Sequence, residues 1–318
     1  MRRYLTRRLL LAALTLLLAS LVVFAVLRVL PGDPSSALLA GEGEALDPAY
    51  AAALRAELGL DAPLAQQYLG WLARLASREL GGVSLATREP VGAIVARTLP
   101  VTLLLGSYAL GLATLLGVPL GALAAHRAGG WPDRLLAVLV VLGALPGFWL
   151  ALLALLAVVA LLGWSPPLVY AHPWQRPLEH LGIMALPAAV LALELAAHLG
   201  RVARAGTLEA LAADHVRQAR AKGLAPARVL GRHALRTAAI PIATVLALQV
   251  TGLLGGAVIL EAVFGLPGLG RGLVQAVVAR DYVSVQGIAM VLVALALALQ
   301  LLVDLAYAAL DPRVRLDA

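Results

Sequence analysis

Six long stretches of this 318-residue chain are strongly apolar, and that feature restricts its fold more than any other. The first, Leu9–Leu27, is an unbroken run of about the 20 residues a membrane-spanning helix needs. The others cover roughly Leu99–Ala125, Leu135–Leu162, Leu181–Leu199, Ala238–Leu260 and Gln286–Leu310. Inside lipid a backbone must satisfy its own polar groups, so such runs fold as helices. Composition agrees: 61% of the residues are hydrophobic and only 14% charged, against about 25% charged in an average soluble domain. The expected fold class is an all-α polytopic membrane protein with six transmembrane helices.

The segments between the runs differ in charge. Met1 to Arg8 is a basic tail with Arg2, Arg3, Arg7 and Arg8. The run after it ends in Arg28-Val29-Leu30-Pro31-Gly32-Asp33-Pro34 rather than a small-residue cleavage site, which favours a retained first span over a cleaved signal peptide. From Pro31 to about Arg97 acids outnumber bases, as suits the outer side of a membrane. Amphipathic helices are expected there near Pro48–Leu58 and Leu64–Leu75. The domain reading is therefore 1–30 as tail and first span, 31–97 as an external cap loop, and 98–318 as the core with five spans. Basic residues gather in 126–134 and 200–236, which places those segments and both termini in the cytoplasm. The net charge of +7 is explained by this distribution, and nucleic acid is not an expected partner.

The stretch Ala212–Arg236 is the most basic of these segments. It holds Arg217, Arg220, Lys222, Arg228, Arg232 and Arg236 against one acid, Asp214. Apolar residues keep helical spacing on both sides of Gly223: Val216 and Ala219 before it, Val229, Leu230 and Leu235 after it. Two short amphipathic helices broken at Gly223-Leu224-Ala225-Pro226 follow, because glycine suits a helix C-terminus and proline the first turn of the next. Such a unit can lie along the cytoplasmic face and present a surface to a partner. An ordinary basic loop that fixes topology and touches lipid headgroups is the other explanation.

Catalytic devices are missing. The only lysine, Lys222, precedes Gly223, so no P-loop is present, and no HExxH occurs. There is no cysteine, which removes thiol chemistry and thiolate metal sites. Neither cofactor nor metal is expected. His172 and His180 flank an outside loop, where a Trp/Pro-rich interfacial turn competes with metal binding. Ionisable groups within the spans are few: Glu194 and His198, one turn apart, and Asp304. The first two form either a proton relay or an inter-helix hydrogen bond. Arg28 and Glu261 lie at span ends, where they can reach the interface. The shortage of buried charge points to an energy source on another subunit, because an ion-driven carrier needs deeper ionisable sites.

Five pieces in order carry a resemblance. They are Leu30-Pro31-Gly32-Asp33-Pro34 after the Arg-rich tail; Leu58-Gly59-Leu60-Asp61-Ala62-Pro63-Leu64 with Gln67-Tyr68-Leu69-Gly70-Trp71-Leu72; and Arg97-Thr98-Leu99-Pro100-Val101-Thr102-Leu103. Then come Arg217-Gln218-Ala219-Arg220-Ala221-Lys222-Gly223-Leu224 with Arg232-His233-Ala234-Leu235-Arg236. Last is Glu261-Ala262-Val263-Phe264 to Pro267-Gly268-Leu269-Gly270, followed by Arg280-Asp281-Tyr282 and Gln286-Gly287. Over nearly its whole length the chain resembles the permease subunits of ATP-binding-cassette importers, within them the peptide/nickel uptake family of dipeptide and oligopeptide permeases. The fourth piece is similar to the importers' cytoplasmic loop motif, EAA, three residues, Gly, nine residues, I-x-L-P. Ala219, Gly223 and Leu235 fall in register, whereas Arg217, His233 and Arg236 stand where the general motif has Glu, Ile and Pro; the peptide subfamily is similar in those departures.

The resemblance implies a type I importer permease fold in a bacterial or archaeal plasma membrane. It implies no catalysis by this chain, ATP hydrolysis on cytoplasmic ATPase subunits, an external substrate-binding protein and a second permease subunit. That second permease is usually a different chain, a homodimer being the alternative. Asp214, Arg217, Ala219, Arg220, Lys222, Gly223, Leu224, Arg232 and His233 become the ATPase-coupling residues. Glu261, Phe264, Pro267, Gly268 and Gly270 become an external gate, or simply the turn into the last span. Cargo is peptide, with nickel or a nickel chelate as alternative; a self-sufficient ion-coupled carrier is the contrasting function.

Overall fold

The computed structural model describes residues 2–29, 62–77, 79–165 and 169–310. The expected helix Pro48–Leu58 and most of the cap therefore lie outside the described residues. The described residues are helical apart from loops and one isolated antiparallel bridge between Val83 and Pro90. The helices are α1 Arg2–Val29, α2 Leu64–Leu75, α3 Val91–His126, α4 Trp131–Gly143, α5 Gly147–Leu162, α6 Pro177–Ala212, α7 Asp214–Ala221, α8 Leu235–Phe264, α9 Leu269–Val278 and α10 Tyr282–Leu310. Among the described residues five helices are long and apolar enough to cross a membrane, and the pair α4 and α5 makes a sixth if it is taken as one broken span.

That pair shows that the expected third span is not one continuous helix. The chain bends by 108° between α4 and α5. Pro146 has no N–H to donate into the preceding turn and disfavours helical geometry at Leu145, so α4 stops and a new helix begins at Gly147. A second correction concerns length. The run from Leu181 continues as helix through Arg201 and Arg204 to Ala212, so the basic loop is shorter than 200–236. A third concerns Glu261–Val285, which contains the unforeseen helix α9.

Contacts divide the chain into two compact units, Met1–Val101 with Pro267–Ala298, and Thr102–Leu266 with Leu299–Asp317. In the first, the expected helix Leu64–Leu75 is present with those bounds and lies on α1 through three rings. Phe24 is 5.4 Å from Tyr68 and 5.9 Å from Trp71, centroid to centroid. The Ser20 and Tyr68 hydroxyls share a hydrogen bond of 2.8 Å. A second cluster joins Val91, Ile94 and Val95 of α3, Leu269 of α9 and Ile288 of α10. Gly287 has no substitute there: a Cβ would come within 2.5 Å of the Leu80 carbonyl oxygen and 2.6 Å of Val91 Cγ1.

In the second unit α6 is the central helix, packed by α4, α5 and α8. Small residues allow the close approach, as is common between helices in lipid. A Cβ on Gly117 would meet Ala196 O at 2.6 Å, and one on Gly143 would meet the Ala197 methyl at 2.9 Å. At one end of α6, Arg204 donates from Nε to Asp133 Oδ1 at 2.7 Å and from its terminal nitrogen to Oδ2 at 3.0 Å. Asp133 Oδ2 also accepts from Gly129 N–H at 2.9 Å, so one carboxylate ties the turn between α3 and α4 to α6.

Candidate functional site

The segment following α6 folds into an elbow. Ala213 is extended, and α7 starts at Asp214 with Arg217 donating to the Asp214 carboxylate at 2.6 Å, an exposed pair. The helix ends in a Schellman arrangement: Gly223 N–H donates to Arg220 O at 2.9 Å and Leu224 N–H to Ala219 O at 3.4 Å. Gly223 has φ +76°, the left-handed geometry that glycine adopts without steric cost. Ala225 then turns the chain and Pro226 opens the next helical turn, Pro226–Arg228.

The second half departs from expectation. Instead of a separate short helix, Pro226–Arg228 leads into a π-helical segment, Val229–Ala234, which continues into α8. The pair is thus one free helix, α7, and the extended end of a spanning helix. Fixation of the elbow is apolar: Val216, Ala219 and Val229 are buried together, with Leu211 and Leu224 packed on them. This explains the sequence spacing. It also separates the nine candidate coupling residues. Asp214, Arg217, Arg220, Lys222, Gly223 and Arg232 are exposed, Ala219 is buried, and Leu224 and His233 are half-buried. Ala219 and Leu224 hold the elbow from beneath rather than line its surface. Arg228 and Arg236 are exposed as well, so the charged groups of the outer face are basic apart from Asp214.

The gate residues fall at the end of α8 and the start of α9. Glu261 is completely buried, which corrects its expected place at the interface. Its carbonyl accepts from Leu266 N–H at 2.9 Å as the chain turns through Gly265, φ +68°. Phe264 and Leu266 are also buried. Pro267 is half-buried and Gly268 is the extended residue before α9, on which Gly270 is buried.

Other candidate groups resolve differently. Glu194 is exposed and opens on a cavity of about 120 Å³ beside Phe148, Leu191 and Leu260. His198 lies 3.2 Å from the Arg201 guanidinium rather than in hydrogen-bond contact with Glu194. His180 is buried with both ring nitrogens engaged: Nδ1–H donates to Ala171 O at 2.9 Å and Nε2 faces the Tyr108 hydroxyl at 3.1 Å. His172 stacks on Trp174 at 4.8 Å, and burial pushes the adjoining Tyr170 phenol up to about 12. These contacts are those of an aromatic corner. Among the described residues no group of three or more His, Cys, Asp or Glu could hold a metal ion.

Residues 117–316 match the family described as binding-protein-dependent transport system inner membrane component, and residues 1–106 match the N-terminal part of such membrane components. The chain belongs to this family. It is a membrane-spanning transport permease and not a catalytic enzyme. A peptide transport system permease protein of Brucella abortus is 39% identical over 303 residues, 95% of each chain. The dipeptide transport system permease protein of Escherichia coli is 36% identical over 339 residues, 99% of each chain. Among solved structures, an amino acid ABC transporter chain superposes with a TM-score of 0.53 at 20% identity, covering 68% of this permease and 94% of that chain. That likeness shows the fold, in agreement with the importer permease fold inferred from the motifs.

One constellation was missed by sequence reasoning. Ser84 lies in the loop before α3 and Asp281 directly before α10, yet Ser84 Oγ donates to Asp281 Oδ2 at 2.5 Å. Ser284 adds its hydroxyl at 2.7 Å and its N–H at 3.2 Å. In the sequence Asp281 stands out only as part of the Arg280-Asp281-Tyr282 motif, and nothing local marks Ser84 as its partner.

Proposed function

We propose that this chain is the permease subunit of an ATP-driven importer of di- and oligopeptides, with separate cytoplasmic ATPase subunits supplying the energy. The observation that carries the coupling half is the elbow: a basic outer surface cornered at Gly223 and fixed from below by Val216, Ala219 and Val229. A surface held this way transmits displacement, because α6 enters it and α8 leaves it as continuous helix. ATPase subunits that close on nucleotide push α7 and rock the spans between inward- and outward-open arrangements. The cargo half is supported by similarity, over nearly the full length, to permeases named for peptide and dipeptide transport.

In this function both termini and the elbow face the cytoplasm, and residues 31–97 face an external substrate-binding protein. A second permease, most simply a different chain, completes the path between the spans, and lipid covers the exposed apolar faces. Glu261, Phe264, Pro267, Gly268 and Gly270 lie at the outer mouth. Mild-detergent purification of a tagged copy from its native membrane, followed by mass spectrometry, tests this. An ATPase with a P-loop and a second six-span protein are the expected companions. A chain that purifies alone in several detergents sinks the coupling function. Deleting the chain should abolish uptake of labelled dialanine; loss of nickel uptake instead would reassign the cargo.

A further inference from the structure

We propose that the cavity bounded by α3, α9 and the start of α10 binds the zwitterionic backbone of a short peptide, with its α-ammonium at Asp281 and its α-carboxylate at Arg271; this rests on the peptide-import function above. The cavity measures about 410 Å³, within the roughly 300–1,000 Å³ of small-ligand sites. Asp281 is in its wall and only 2% exposed. The carboxylate accepts hydrogen bonds from Ser84 Oγ, Ser284 Oγ and Ser284 N–H, all neutral, and no described basic residue pairs with it. A carboxylate offers about four lone-pair sites, so one is left after these three bonds. Its place before α10 makes it a helix cap, which fixes its orientation. Capping by neutral donors leaves the remaining acceptor position available for an arriving ammonium.

The opposite sign is also in the wall. Arg271 of α9 and Arg97 of α3 both line the cavity. A guanidinium fork matches a carboxylate with two parallel hydrogen bonds. Arg97 also contacts Glu89 at 3.1 Å, but that pair is exposed, with Arg97 at 61%, and can exchange. The rest of the lining mixes small apolar residues such as Gly272 and Ala276 with the polar Thr87, Thr98 and Gln275. Such a site holds a peptide by its two charged termini. Pro267 and Gly268, proposed above as mouth residues, line the same cavity.

Equilibrium dialysis of the purified full chain in lipid nanodiscs tests this, with radiolabelled dialanine as probe and N-acetyl-dialanine and dialanine amide as competitors. Saturable dialanine binding is expected, each blocked form competing roughly tenfold or more weakly, as loss of one charged hydrogen bond implies. Asp281→Asn should erase the discrimination against the acetylated form only, and Arg271→Gln that against the amide only. Ala279→Trp, an exposed position on the cavity rim, should block binding without touching the carboxylate network. Unchanged affinity and selectivity in Asp281→Asn and Ala279→Trp overturn the site. So does absence of binding to the wild-type chain while cells still take up dialanine through the assembled transporter, an outcome that leaves peptide import standing. If dialanine uptake does not depend on the chain at all, the import function fails, and the site with it.

Discussion

Gly121 lies where α3 passes α6 so closely that an added Cβ would enter the Gly200 carbonyl oxygen and sit 2.8 Å from the Ala203 methyl. Backbone cannot step aside as a flexible side chain can. Gly121→Ala should therefore destabilise the permease by about 1–3 kcal/mol, the usual cost of overpacking, seen as a lower midpoint in thermal unfolding followed by tryptophan fluorescence. Gly111, on the same helix, has open space around its missing Cβ. Gly111→Ala should leave the midpoint unchanged or raise it slightly, since alanine favours the helix; equal losses at both positions would refute close packing as the cause. Which glycines are contacts was not legible in the sequence. Composition shows 30 of them, and only the crossing geometry separates Gly121 and Gly287 from Gly111. Glu261 is a similar case: its position at the end of an apolar run suggests the interface, and the folded chain buries it completely.

At the scale of elements, local chemistry was readable where it is self-contained. The corner at Gly223 followed from a glycine and a proline three residues apart, and the amphipathic spacing named the buried residues of the elbow. The break at Pro146 was also signalled locally, but a run apolar on every side has no periodicity to show where one helix ends, so α4 and α5 were read as one. The π-helical segment Val229–Ala234 left no signal at all; its register depends on what α6 and α7 offer to pack against. The elbow makes a graded prediction. A non-glycine residue in left-handed geometry costs about 1–2 kcal/mol, less for asparagine, and proline cannot adopt it. Since nothing lies within 4 Å of a Cβ at Gly223, size is not the obstacle. Gly223→Asn should retain ATPase co-purification and uptake, whereas Gly223→Pro should insert normally and lose both. Full activity of Gly223→Pro would remove the corner from the coupling route.

For the whole molecule, the apolar runs established a multi-span helical protein because lipid leaves a chain few alternatives, whereas the Ser84–Asp281 contact joins positions 197 residues apart and depends on the finished fold. Orientation belongs to this scale too, since it is set by the sum of arginines on short loops rather than by any one contact. On the proposed orientation the basic elbow and the basic tail each face the cytoplasm, and the corner containing Trp174 faces the other side. The chain offers a clean way to check this, because it contains no cysteine and an impermeant maleimide has nothing else to label. Trp174 is 68% exposed, and Ala225 is exposed at the elbow. In intact spheroplasts Trp174→Cys should label and Ala225→Cys should not; after permeabilisation both should label. Labelling of Ala225→Cys from outside intact cells would overturn the proposed orientation and move the elbow away from any cytoplasmic ATPase.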